Sequence, residues 1–221
     1  MSSNAEGNGQ DVHGGQPVYH AGAPLESAQG VTILLHGRGA SAQDILSLTP
    51  QIAHPTMAFL APEAANSTWY PYSFLSPRAQ NEPYLSSALG VVARLVAEMA
   101  ARGFEADKIA IGGFSQGACL ASEFVARNPQ RYGGLIAFSG GLIGAQDEPL
   151  EYAGDLAQTP AFIGCSDIDP HIPLQRVEET AQILEELGAK VTKRIYPGMA
   201  HTVNAEELDL ARALLADMVT A

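Results

Sequence analysis

An α/β protein with a mostly parallel central sheet and helices on both faces is the fold class the sequence predicts, and three observations predict it. Short apolar runs bounded by glycine or proline alternate with longer segments of helical period, and each run is too short to be a buried helix. No internal repeat or linker interrupts the alternation, which is the pattern of β-α units wound around one sheet. The 221 residues are 46% hydrophobic and only 16% charged, the balance of a packed domain, so one compact unit over residues 17–221 is expected. Residues 1–16 are polar, Gly-rich and aperiodic and read as a flexible tail.

In chain order, Val18 to Ala21 is the weakest strand candidate and is placed at an edge. Val31 to Leu35 is an apolar run ending at His36-Gly37, and a helix is expected to start near Ser41. Met57 to Ala61 is the next strand. The clearest helix runs from about Pro83 to Arg102, with Asn81 or Glu82 able to cap it, Pro83 suited to its first turn and Gly103 able to end it in a left-handed conformation. Leu85, Leu89, Val92, Val96 and Met99 form its apolar stripe. Strands follow at Lys108 to Ile111, Gly134 to Phe138, Ala161 to Gly164 and Val191 to Tyr196. Between the last two lies a helix from Pro173 to Leu187, stopped by Gly188. A final helix begins after Asn204, with Glu207 three residues on as in a capping box.

The sharpest chemical signal is Gly113-Phe114-Ser115-Gln116-Gly117, which fits G-x-S-x-G directly after a strand and at the start of a helix of small residues. A sharp strand-to-helix turn strains the serine backbone, leaves no room for a Cβ at the flanking glycines and lifts the hydroxyl off the sheet edge. A serine hydroxyl becomes a nucleophile only when a base takes its proton and a carboxylate holds that base in the correct tautomer. In this architecture the acid and then the histidine follow the serine, and His171 and His201 are the histidines downstream of Ser115. His201, in the loop between the last strand and the last helix, is the predicted base, because His171 is too close in sequence to the acid. The acid lies in Ser166-Asp167-Ile168-Asp169-Pro170. Both aspartates sit at the correct edge, and Pro170 favours Asp169 by biasing it toward an extended shape, while Asp167 suits a turn or capping role. His36-Gly37-Arg38-Gly39 matches the loop that donates one oxyanion-hole N–H, from the Arg38 backbone, and the second donor is the backbone N–H of Gln116.

With these motifs in hand, the chain resembles the phospholipase/carboxylesterase family of α/β-hydrolases, which includes acyl-protein thioesterases and small bacterial carboxylesterases. The resemblance runs from about Val18 onward. It rests on His36-Gly37-Arg38-Gly39, on Gly112 to Gly117, on Asp167-Ile168-Asp169-Pro170-His171-Ile172-Pro173 and on Gly198-Met199-Ala200-His201. It implies an α/β-hydrolase fold with a minimal lid, Ser115 as nucleophile, Asp169 rather than Asp167 as acid, His201 as base and no metal or organic cofactor. It also implies a monomer or homodimer. Where the family usually has His-Gly before the aspartate pair, this chain has Cys165-Ser166.

The stretch Ser67 to Leu75 concentrates aromatic residues, and Trp69, Tyr70, Tyr72 and Phe74 are the predicted substrate-binding residues, since ligand clefts are walled by aromatic side chains. The same cluster could instead cover the end of the core. It is more similar to bacterial hydrolases linked to resistance to quinones and aromatic compounds than to the eukaryotic thioesterases. A small-molecule ester, short-chain or aromatic, is therefore the expected substrate, ahead of a thioesterase or lysophospholipase acting on longer acyl chains and of a non-catalytic ligand sensor.

Charge excludes other classes. Lys plus Arg number 12 against 24 Asp plus Glu, a formal net charge of −12, which repels nucleic-acid backbones and anionic membranes. No apolar stretch is expected to span a bilayer and no secretory signal is visible, so a cytoplasmic location is expected. Cys119 and Cys165 have no metal-ligand spacing and are read as buried free thiols.

Overall fold

The computed structural model describes residues 11–220. Seven strands form one sheet in the order β1-β3-β2-β4-β5-β6-β7. They are β1 (Val18–Gly22), β2 (Gly30–Leu35), β3 (Met57–Pro62), β4 (Ile109–Phe114), β5 (Gly134–Phe138), β6 (Pro160–Ser166) and β7 (Lys190–Tyr196). β1 is antiparallel to β3 at one edge, and every other neighbouring pair is parallel. The alternation of side chains along the buried strands divides the core in two. Leu135 and Ala137 of β5 join a cluster that includes α3 (Tyr84–Ala101), α4 (Gln116–Arg127) and α5 (Leu174–Glu186). Ile136 and Phe138 face the opposite cluster, with α1 (Ala42–Leu46), α2 (Thr49–Ile52) and α6 (Ala205–Thr220). Helices thus cover both faces, as parallel strands require.

Each predicted strand is present, and the differences fall at ends. β4 runs on through Gly112 and Gly113, past the Ile111 at which its apolar run stops. A Cβ on Gly112 would lie 2.8 Å from the Ile136 carbonyl oxygen, so glycine is there to let β4 and β5 approach closely. Gly103 and Gly188 follow α3 and α5 with φ of +95° and +84°, the left-handed stops that glycine permits. Glu82 carries the cap of α3, its carboxylate accepting from the Ser86 N–H at 3.1 Å, whereas Asn81 is turned away from the helix. Asn204 and Glu207 form the capping box of α6 reciprocally, at 3.0 and 2.8 Å.

One expectation needs correction. The segment expected to be a flexible tail over residues 1–16 falls in two parts. Its first ten residues lie outside the described ones, but from Asp11 on it is anchored: His13 is buried and bonded to Ala65 and Trp69, and its backbone N–H to Ser87. Among the described residues, α3 is long and apolar enough to cross a membrane by length and composition, with a mean hydropathy of 1.3 over 18 residues. Its apolar side chains Leu85, Val92 and Met99 are instead buried in the core cluster on the sheet. Leu89 and Val96 of the predicted stripe are only partly buried, and Val91 and Leu95 complete the buried face.

Candidate active site

The turn that leaves β4 is built by close contact. A Cβ on Gly113 would meet the Leu35 carbonyl oxygen at 2.5 Å, and one on Gly117 would come closer still. Only glycine at both positions lets the start of α4 nestle against the end of β2. Ser115 between them has φ 56° and ψ −120°, a conformation that L side chains rarely adopt. The surroundings over-determine it: the Ser115 N–H donates to the Phe138 carbonyl at 2.9 Å, and its carbonyl accepts from the Cys119 N–H at 2.9 Å.

Two further turns leave the same edge of the sheet and bring their side chains to this serine. His201 Nε2 lies 2.9 Å from Ser115 Oγ, and His201 Nδ1 lies 2.6 Å from Asp169 Oδ2. A carboxylate only accepts, so the imidazole proton sits on Nδ1 and the bare Nε2 faces the serine hydroxyl. Asp169 is fully buried at its side chain, and its other oxygen accepts from the backbone N–H groups of His171 (2.8 Å) and Ile172 (3.0 Å). Burial works to raise its pKa, but the hydrogen bonds from His201, His171 and Ile172 outweigh it and hold the carboxyl below its usual value. Asp167 points elsewhere: its Oδ1 accepts from the Gly198 N–H at 2.8 Å and so ties the turn after β6 to the one that carries His201.

The loop after β2 closes the site. A Cβ on Gly37 would touch the Phe114 ring at 3.3 Å and Ser115 Cβ at 3.5 Å, which puts the Arg38 backbone beside the serine turn. His36 is buried, with Nε2 accepting from the Ala64 N–H at 3.1 Å and Nδ1 donating to the Gly37 carbonyl at 2.8 Å. The Arg38 guanidinium straps the aromatic segment, donating to the carbonyls of Pro71 (2.8 Å) and Tyr72 (2.6 Å).

A cleft of about 440 Å³ opens above Ser115, walled by Tyr70, Tyr72, Phe74, His171, Ile172 and His201. Three of the four predicted aromatic residues line it. Trp69 does not: it is 0% exposed and belongs to the core beneath. Its indole N–H donates to the His36 carbonyl at 3.0 Å, its backbone N–H to Gln116 Oε1 at 3.0 Å, and its carbonyl accepts from His13 Nε2 at 2.9 Å. Every polar group of this side chain and backbone is used inward, so the tryptophan supports the wall without facing the cleft.

Sequence reasoning passed over several residues that shape the site. The Gln116 side chain links the turn at Ser115 to the aromatic segment, its Nε2 donating to the Tyr70 carbonyl at 2.8 Å. Asn81 accepts from the Tyr72 N–H at 2.9 Å and donates to the Ser73 carbonyl at 3.1 Å. The His171 ring stands edge-on to His201, 4.8 Å between centroids, and lines the cleft. No local pattern marks His13, whose partners are distant in sequence, and the pattern around Asn81 suggests a helix cap rather than this role. Both cysteines are buried free thiols, and burial pushes each up to about 12.

A strained serine at a strand-to-helix turn, hydrogen-bonded to a histidine that is itself bonded to a buried carboxylate, along one edge of a mostly parallel sheet, defines the α/β-hydrolase fold with the equipment of a serine ester hydrolase. The sequence model described as phospholipase/carboxylesterase matches residues 21–218, and the chain belongs to that family. A solved phospholipase/carboxylesterase from Dyadobacter fermentans is 45% identical, with a TM-score of 0.87 over 91% of this chain and 96% of that one. The structure of esterase PE8 is 26% identical, with a TM-score of 0.75 over 92% and 98% of the two chains. Acyl-protein thioesterase 1 of Debaryomyces hansenii is 28% identical over 92% of this chain and 97% of its own length. The protein is accordingly an esterase or thioesterase of the α/β-hydrolase superfamily.

Proposed function

We propose that this enzyme is a carboxylesterase that hydrolyses short-chain or aromatic carboxylic esters through an acyl-enzyme on Ser115. His201 Nε2 takes the serine proton as Oγ attacks the ester carbonyl, and Asp169 stabilises the imidazolium that forms. The oxyanion is received by the backbone N–H groups of Arg38 and Gln116, where losing one donor typically costs about 3 to 4 kcal/mol of barrier. His201 then gives its proton to the departing alcohol, and water cleaves the acyl-enzyme by the same route. The residues present supply every proton transfer in this sequence.

The observation that carries the reading is the Ser115, His201, Asp169 hydrogen-bond chain opening on an aromatic-walled cleft of about 440 Å³. Such a cleft suits a compact acyl group with apolar faces. The fungal thioesterase relatives favour a second reading, thioesters or esters of long acyl chains. A panel of esters and thioesters graded in acyl length separates them. Greatest kcat/KM at about two to six acyl carbons, or with an aromatic acyl group, is expected, and a maximum beyond about twelve carbons would replace the first reading with the second.

A further inference from the structure

Beyond the cleft above Ser115, a second groove of about 340 Å³ is lined by His201, by residues of α1 and by the turn that leads into α6. Its walls include Ile45, Leu48, Phe114, Thr202 and Val203, with Asp44 as an exposed carboxylate. Gly37, Ala40, Phe114 and His201 border both cavities. The Phe114 ring lies against the His201 imidazole, 4.8 Å between centroids and 37° between planes, and both rings line both cavities.

We infer that this groove receives the alcohol portion of the ester, and that an uncharged, apolar alcohol such as an aryl or branched alkyl group is the one it selects. The inference rests on the acyl-enzyme reading and extends it to the part of the substrate that leaves. In acylation the Ser115 Oγ to carbonyl-carbon bond forms, the bond from that carbon to the alkyl oxygen breaks, and the serine proton travels through His201 Nε2 to the departing oxygen. The acyl group therefore remains on Ser115, while the alcohol departs on the side of His201. Ser115, Arg38 and Gln116 line the first cleft and none of them lines the second. On this assignment the group that stays bonded to the serine occupies the first cleft, and the group that accepts its proton from His201, which lines both cavities, extends past His201 and Phe114 into the second.

The walls set the chemistry. Ile45 is buried, Leu48 and Val203 are half-buried, and with Phe114 they offer an apolar surface. Asp44 stands at this groove with its carboxylate engaged by the Ser41 N–H and hydroxyl at 2.8 and 2.7 Å, bonds that favour its charged form. A fixed negative charge at the rim, on a protein of net charge −12, disfavours an anionic alcohol.

The test uses butyrate esters that share one acyl group and differ in alcohol: methyl, benzyl, 2-naphthylmethyl and 4-carboxybenzyl. The wild-type enzyme should prefer benzyl to methyl by about tenfold in kcat/KM, and benzyl to 4-carboxybenzyl by at least as much. Leu48→Trp, which fills the groove, should cut the benzyl-to-methyl ratio by about tenfold, and Leu48→Ala should raise the 2-naphthylmethyl-to-benzyl ratio. Ratios that stay put in both variants overturn the inference, as does a change in acyl-length preference among methyl esters with the alcohol ratios unmoved. The reading beneath it is judged separately, on the wild-type enzyme: failure to cleave methyl and benzyl butyrate at all would sink both.

Discussion

Ser115, Asp169 and His201 hang on turns that leave parallel strands, whereas Tyr70, Tyr72 and Phe74 sit on a segment with no strand beneath it. The first region is positioned by the sheet. Registers such as Gly113 opposite Ala137 and Ser166 opposite Tyr196 set where each turn departs, and backbone hydrogen bonds do the rest. The aromatic segment is positioned by side chains from elsewhere. His13, Gln116, Arg38 and Asn81 each hold its backbone carbonyls or N–H groups, from 9 to 56 residues away. A reacting constellation needs tolerances that a sheet edge supplies, and a binding wall can be assembled from clamps that are individually replaceable.

The comparison is broken most severely within the first region. Asp169→Asn should reduce kcat by about 10⁴-fold, because the amide favours the wrong imidazole tautomer. Asp167→Asn should cost less than about tenfold, since an amide oxygen can still accept from the Gly198 N–H. Steady-state kinetics of the two variants decide the matter, and the opposite ranking would refute the assignment of the acid.

In the second region the expected effects are smaller and of another kind. Gln116→Ala removes the partners of the Trp69 N–H and the Tyr70 carbonyl, both on buried residues, at about 1 to 3 kcal/mol. It should lower Tm and raise KM for aromatic acyl esters by about tenfold, with kcat moving much less. A loss confined to kcat would show that the wall and the nucleophile turn are not separable.

The smallest effect lies just past His201. Burial is the main cause that lifts Glu207 from its usual value to about 7, with the nearby Glu206 adding to it, and one of its oxygens has no hydrogen-bond partner. A carboxyl whose folded pKa is raised holds its proton more tightly in the folded state. Its ionisation therefore erodes stability as pH climbs from about 4.5 to about 7, with the full cost, at most about 3 kcal/mol, above that. Glu207→Gln should flatten this dependence in denaturant titrations and be more stable than wild type at pH 8, with little difference at pH 4.

What could be read from the sequence follows the same division. The seven strands, the glycine stops of α3 and α5, the capping box of α6, Ser115 and His201 announce themselves through local pattern, whereas the choice of Asp169 over Asp167 leans on the family resemblance. The glycine at 117 is a local signal of a tertiary event, since it is required where β2 lies alongside, and the one at 113 is required both by β2 and by the Gly117 backbone within the turn. The fate of Trp69 had no such signal. An aromatic run looks the same whether it faces a cleft or a core, and the deciding bonds come from His13, His36 and Gln116. Asn81 was legible as a helix cap, yet the competing demand of the Tyr72 and Ser73 backbone took its side chain, leaving the cap to Glu82.

The inward-facing imidazole of His13 has a consequence for how the chain may be cut or fused. Its two nitrogens serve Ala65 and Trp69 at once, so a stretch whose composition suggests it is dispensable behaves as a latch on the wall of the cleft. Removing the 16 residues before Pro17 would shorten the protein by about 7% of its length but would leave a vacancy under its sole tryptophan, and the intrinsic fluorescence of that indole makes the latch directly observable.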